Sequence, residues 1–247
     1  MDASQLALAA TAGLFSGFIN AVAGGGSLVL FPALLACGLQ PLEANVTNSM
    51  ANWPGYIGGV YGFRHDLADQ GVRWRRLTLI TLIGSSLGCA LLLRLPASAF
   101  DLIVPVLVFF SSLMLALQPR LKKWAGSAGG ERWRFLVVGV LAAAVYGGYF
   151  GGALGVILLG TLALGLADSL RRLNALKAAL SLVNGTVSLI VFALFGPVYW
   201  PAAWVAAPAT LLGGYWGARL ASRINDGALR WAIVAYGLVV SVYLFLK

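Results

Sequence analysis

An apolar run from about Leu6 to Leu39, interrupted by Gly24-Gly25-Gly26, constrains the fold most. A helix crossing a bilayer needs roughly 20 apolar residues, so this run is too long for one crossing. Each glycine destabilises a helix by about 1 kcal/mol relative to alanine, so the run is expected to break at the glycines. A break at membrane depth frees backbone N–H groups, and those must face protein or a polar cavity rather than lipid. Asn20 and Ser27 flank the glycines. The expected arrangement is two half-helices meeting at a polar point, the second presenting its N-terminus there.

Hydrophobic residues make up 60% of the 247 and charged residues only 10%. Soluble domains carry about 25% charged residues, so the composition is that of a polytopic membrane protein with no sizeable soluble domain. The net charge of +9 would suit nucleic acid in a soluble chain. Here the cations lie in short loops between apolar segments, the pattern that sets membrane topology, and no nucleic-acid partner is expected. Cys37 and Cys89 lie in apolar segments and read as small apolar filler. His65, between Arg64 and Asp66, reads as an exposed loop histidine. Met1-Asp2-Ala3-Ser4 lacks the basic start of a signal peptide.

The segment after the first run opens with Asn45, Thr47, Asn48 and Asn52. Asn45, Asn48 and Asn52 are spaced to share one helical face. They suit interhelical hydrogen bonding, a polar wall beside the glycine break, or both. A second over-long run, about 135–166, is broken at Gly147-Gly148 and Gly151-Gly152. Gly25 and Gly38 map onto Gly152 and Gly165 at an offset of 127. Thr81, Gly84, Gly88 and Arg94 map onto Thr210, Gly213, Gly217 and Arg223 at an offset of 129. On this register Asn45 stands opposite Asn174 and Asn48 opposite Lys177. The chain divides into a first transmembrane repeat (1–118), a basic loop (119–134) and a second repeat (135–247).

Cation placement chooses the topology. If each broken run crossed the membrane once, the 17 Lys and Arg would divide 10 to 7 between the two sides. If each turns back, loops 64–76, 118–134, 167–175 (with Lys177) and 219–230 share a side holding 15, against 2 opposite. The positive-inside rule favours the second arrangement. Each half is then a re-entrant hairpin plus three crossings. Three is odd, so the repeats are inverted, with both termini outside the cytoplasm. The expected fold is an all-α polytopic membrane protein with the inverted-repeat plan of secondary transporters.

Gly17-Phe18-Ile19-Asn20-Ala21-Val22-Ala23-Gly24-Gly25-Gly26-Ser27, Pro32 and Asn45-Val46-Thr47-Asn48 resemble the first signature of the TauE/SafE family. Gly147-Gly148, Gly151-Gly152 and Leu170-Arg171-Arg172-Leu173-Asn174-Ala175-Leu176-Lys177 extend the resemblance to the second half. It implies an inner-membrane exporter of sulfite or organosulfonates. The second glycine block, Gly-Gly-Ala, departs from the first.

Half-helix N-termini favour anions. The expected anion site comprises Asn20, Gly24, Gly25, Gly26, Ser27, Asn45, Thr47, Asn48 and Asn52 from the first half, with Gly151, Gly152, Asn174 and Lys177 from the second. Lys177 reads either as a snorkelling lysine at the boundary or as the cation of the site. A passive anion channel would share this chemistry. An intramembrane enzyme is disfavoured, since no metal-ligand cluster or familiar catalytic set is present, and no cofactor is expected. An ATPase is disfavoured by the missing P-loop motif.

Overall fold

The computed structural model describes residues 1–123, 130–220 and 226–246, and among them every regular element is helical. Helix α1 (Ala3–Val22) starts at a capping box, in which Asp2 accepts from the Gln5 N–H and Gln5 accepts from the Asp2 N–H. It stops at the glycines, and α2 (Ser27–Ala36) follows. Helix α3 (Pro41–Gly62) opens on a proline, whose missing N–H costs nothing in a first turn. The segment read as a charged loop is instead α4 (Arg64–Leu67), a 3-10 turn (Ala68–Gln70) and the start of α5 (Gly71–Arg94). Helix α6 (Ala97–Lys123) runs on into the basic stretch expected to be loop. Residues 124–129 of that stretch, and Arg223 of the repeat register, lie outside the described residues. The second half holds α7 (Trp133–Tyr149), α8 (Leu154–Gly165), α9 (Leu170–Phe195), α10 (Trp200–Leu220) and α11 (Asp226–Leu246).

Both broken runs fold back on themselves. Gly26 packs on Ser16 of α1, and the Cys37 thiol donates to the Gln5 carbonyl at 3.5 Å. The two arms of this hairpin therefore run in step and in opposite directions. In the second run Gly139 meets Thr161, and the Arg132 N–H donates to the Gly165 carbonyl at 2.9 Å. The ends of each run lie together and the glycine break forms the tip.

Small residues bring the helices close. Gly13 and Gly17 of α1 meet the backbone of α10 at Ala206 and Thr210, and Gly55 and Gly58 of α3 meet α10 from another side. Gly84 and Gly88 of α5 meet α7 at Leu141 and Val145. Without a hydrophobic drive between helices in lipid, such close backbone approach supplies the packing energy. Each broken helix thus lies against the third long helix of the other half: α1 on α10, α7 on α5.

Four helices are long and apolar enough to cross a membrane among the described residues, and large apolar side chains such as Leu79, Val106 and Trp204 cover the outside. The chain is an all-α polytopic membrane protein. Its charged connections gather at one end. Arg73 pairs with Glu131 at 2.6 Å and with Asp168 at 2.8 Å, Arg172 with Asp168 at 3.0 Å, and Arg171 with Asp66 at 3.3 Å. Partial burial works to raise the Asp168 carboxyl, but the Ser169 N–H and the guanidiniums of Arg172 and Arg73 outweigh it and hold the carboxyl below its usual range. At the other end the Met1 amino group donates to the Tyr199 hydroxyl at 3.0 Å. This division of the loops is the one that folded-back runs require.

Candidate functional site

The two glycine breaks meet inside the bundle. Gly24 adopts φ 83°, and a Cβ there would lie 2.7 Å from the Gly155 carbonyl carbon in the first turn of α8. Phe31 of α2 stands edge-on to Phe150 of the second break, with centroids 5.4 Å apart. Ala153 takes a left-handed φ of 54° where the first block carries glycine. An L residue pays roughly 1–2 kcal/mol there.

Under the first break lies a closed polar network. The Asn52 side-chain oxygen accepts from Ser16 Oγ at 2.7 Å and from Asn20 Nδ2 at 3.1 Å. Asn52 Nδ2 donates to the Asn48 side-chain oxygen at 2.8 Å. Asn20 Oδ1 accepts from the Gly26 N–H at 2.9 Å, which caps the start of α2 from within the protein. A single intramolecular hydrogen bond contributes about 1 kcal/mol net, whereas a buried polar group left unpaired costs about 1–3 kcal/mol. The network is thus held by the cost of opening it.

The remaining expected residues are dispersed. Asn45 donates to the Tyr149 carbonyl at 3.0 Å, closing the end of α7. The Thr47 hydroxyl accepts from the Tyr199 N–H at 2.9 Å, on the side of α3 away from the break. Asn174 donates to Leu170 in its own helix at 2.9 Å. Gly25 lies against Leu115, Gly151 near the Gly147 carbonyl, and Gly152 against Phe150 and Ser111. Ser27 begins α2 in the buried interior.

Lys177 stands out from these. Only 2% of it is exposed, so it is not a boundary lysine reaching for water. Its ammonium donates to the Ala21 carbonyl at 3.3 Å, in the last turn of α1. Cations favour helix C-termini, where carbonyls lack helical partners. The same side chain lines a small cavity of about 20 Å³. Asn20 and Ala21 of α1, Gly55, Tyr56 and Gly59 of α3, Gly155 of α8, and Ala178 and Ser181 of α9 complete its wall. That volume holds about one water. Anything larger than a water enters only when the walls separate.

Four helices therefore converge on one polar point. The start of α8 contributes the positive end of its dipole, Lys177 a full charge, and Asn20 and Ser181 neutral hydrogen-bonding groups. No carboxylate is among the cavity-lining residues. The wall of this cavity is thus polar and carries one cation. The spacing of Ser16 to Asn20 and of Lys177 to Ser181, one helical turn each, was the sequence signal for the two serines, which the sequence reading passed over. A second network, in which Asn184 Nδ2 donates to Ser85 Oγ at 2.6 Å and to the Ala144 carbonyl at 3.0 Å, was also passed over.

Residues 9–244 match the profile of the family described as sulfite exporter TauE/SafE. The chain belongs to the TauE/SafE family. Among curated relatives of this TauE/SafE protein is the probable membrane transporter protein YfcA of Escherichia coli, 28% identical over 94% of this chain and 86% of that protein. A probable membrane transporter protein of Haemophilus influenzae is 26% identical over 93% of this chain and 90% of its own length. The probable membrane transporter protein ORF9 of Sinorhizobium is 24% identical, with 97% and 92% covered. No solved structure matches the chain. Family and relatives together make this TauE/SafE protein a membrane transporter.

Proposed function

We propose that this transporter is a carrier that exports small sulfur-containing anions, such as sulfite or organosulfonates, across the inner membrane. The observation that carries the reading is Lys177, buried beside the first turn of α8 in a cavity lined by no acid. The family description supplies the sulfur chemistry. Two inverted repeats form the carrier, each a re-entrant hairpin plus three crossings, and the anion binds near the midplane where the hairpin tips meet. The halves are unequal in one respect: Asn20 caps α2, while α8 faces Lys177. One anion per chain is therefore bound, on the α8 side.

Purified protein should give a calorimetric binding signal with at least one of sulfite, sulfoacetate, taurine and sulfate, and none with neutral dimethyl sulfone. Substrate-driven counterflow in proteoliposomes should follow, which a passive channel does not support. Binding of the neutral sulfone as tightly as the best anion would remove the reading.

The basic end faces the cytoplasm in this proposal. An alkaline phosphatase fused at the C-terminus should be active, and one fused within 118–134 inactive. The reverse pattern would turn the carrier over and contradict the positive-inside assignment.

A further inference from the structure

Between the cavity and the basic end lies a small apolar plug. Phe63 packs with Ala21, Ala175, Ala178 and Ala218, and Leu67 closes over them. Ala21 and Ala178 also form the cavity wall, so the plug is the cavity's lid on that side. Ala175 lies one turn nearer the charged start of α9 than Ala178, and Ala218 lies near the same end of α10.

The plug residues Phe63 and Leu67 belong to the segment through α4 and the 3-10 turn. That segment is fastened to α9 from above. Asp66 pairs with Arg171 at 3.3 Å, Asp69 with Arg172 at 3.7 Å, and Gln70 Nε2 donates to the Arg172 carbonyl at 3.0 Å. Arg171 and Asp69 are largely exposed, and ion pairs in water are individually weak and salt-screened. The polar network on the other side of Lys177, from Ser16 through Asn52 to Asn48, is buried. The two closures differ in kind: one is fastened by two solvent-facing ion pairs and a single hydrogen bond from buried Gln70, the other by a connected network of buried groups that are costly to unpair.

We propose that residues 63–70 form the gate through which the anion passes between the basic end and Lys177. The inference rests on the anion site proposed above, and adds how that site is reached. The hinge is the last turn of α3, where the Phe63 N–H donates to the Gly59 carbonyl at 3.1 Å. Gly59 is on the cavity wall, and a side chain placed there would meet nothing within 4 Å, so the turn is unpacked on its cavity face, while Gly58 and Gly62 keep it against α10 as the pivot. Opening swings Phe63 out of the alanines, and it also releases Arg171 from Asp66 to meet an arriving anion.

The test needs no substrate. In a Cys37→Ala/Cys89→Ala background, Ser181→Cys places a thiol on the cavity wall, with Ala178→Cys as a second position if the first variant misfolds. Labelling by a membrane-impermeant sulfonate thiol reagent is timed in vesicles of each orientation. Asp66→Asn with Asp69→Asn and Gln70→Ala should speed labelling at least tenfold from the basic side and leave the other side unchanged. A rate indifferent to these substitutions, or accelerated from the opposite side, would overturn the gate. Loss of sulfite and sulfonate binding in a protein whose labelling responds as expected would instead remove the substrate assignment and leave the gate standing.

Discussion

Lys177→Gln is expected to keep the fold and weaken binding of the best anion at least tenfold, equivalent to about 1.4 kcal/mol. The charge is what the substitution removes. An anion about 4 Å from an ammonium gains about 4 kcal/mol at an effective dielectric near 20, before desolvation is subtracted. Glutamine still carries a donor for the Ala21 carbonyl, which Lys177 Nζ now satisfies at 3.3 Å, so α1 keeps its partner. Most of the lysine's surface is already withdrawn from solvent in the resting protein, where it is 2% exposed, which lowers the desolvation cost left for binding. Arg171→Gln, at the exposed start of α9, should affect binding less and topology more. Calorimetry on both variants decides the point. Equal affinities for wild type and Lys177→Gln would leave the lysine as a helix cap and nothing else.

The second large effect is expected within the glycine triplet, and it should be uneven. A Cβ at Gly26 would overlap the Ser16 carbonyl and press on Asn20, both held in the hairpin. At Gly24 it would lie 2.7 Å from Gly155 backbone, and φ 83° is itself costly for an L residue. Overpacking costs about 1–3 kcal/mol. Left-handed backbone adds roughly 1–2 kcal/mol at Gly24. At Gly25 the nearest atom is Leu115 Cδ2, 3.3 Å away at the end of a flexible side chain. Gly24→Ala and Gly26→Ala should therefore lower the melting temperature in detergent markedly and abolish transport, while Gly25→Ala stays near wild type. Gly25→Leu should fail, because it must displace Leu115. Equal damage from all three alanines would mean that the triplet matters for flexibility and not for close approach.

Much of this fold was legible because glycine and arginine are unambiguous in lipid. The triplet at Gly24 disfavours an unbroken helix, and the loop cations favour folded-back runs, 15 against 2, so the hairpins were legible from the sequence. Asn48 and Asn52 were legible by spacing, and they do join Asn20. Thr47 points elsewhere than its neighbour Asn48, which faces the network, because on a helix adjacent residues point about 100° apart. Its hydroxyl holds the Tyr199 N–H instead. The α4 segment was hidden for another reason. It has too few residues for a period, and it packs on α9. One partner of Lys177 is a backbone carbonyl far away in sequence, and carbonyls leave no mark on a residue string.

The glycine seams set an order on how the protein is made. Helix α1 emerges from the ribosome long before α10, the helix whose backbone it abuts. For most of translation the face of Gly13 and Gly17 has no permanent neighbour, and it must wait in lipid or against the insertion machinery. The α5 face at Gly84 and Gly88 waits only until α7 arrives. The second hairpin can therefore dock on α5 as soon as α7 emerges, whereas the first hairpin locks only once α10 has followed.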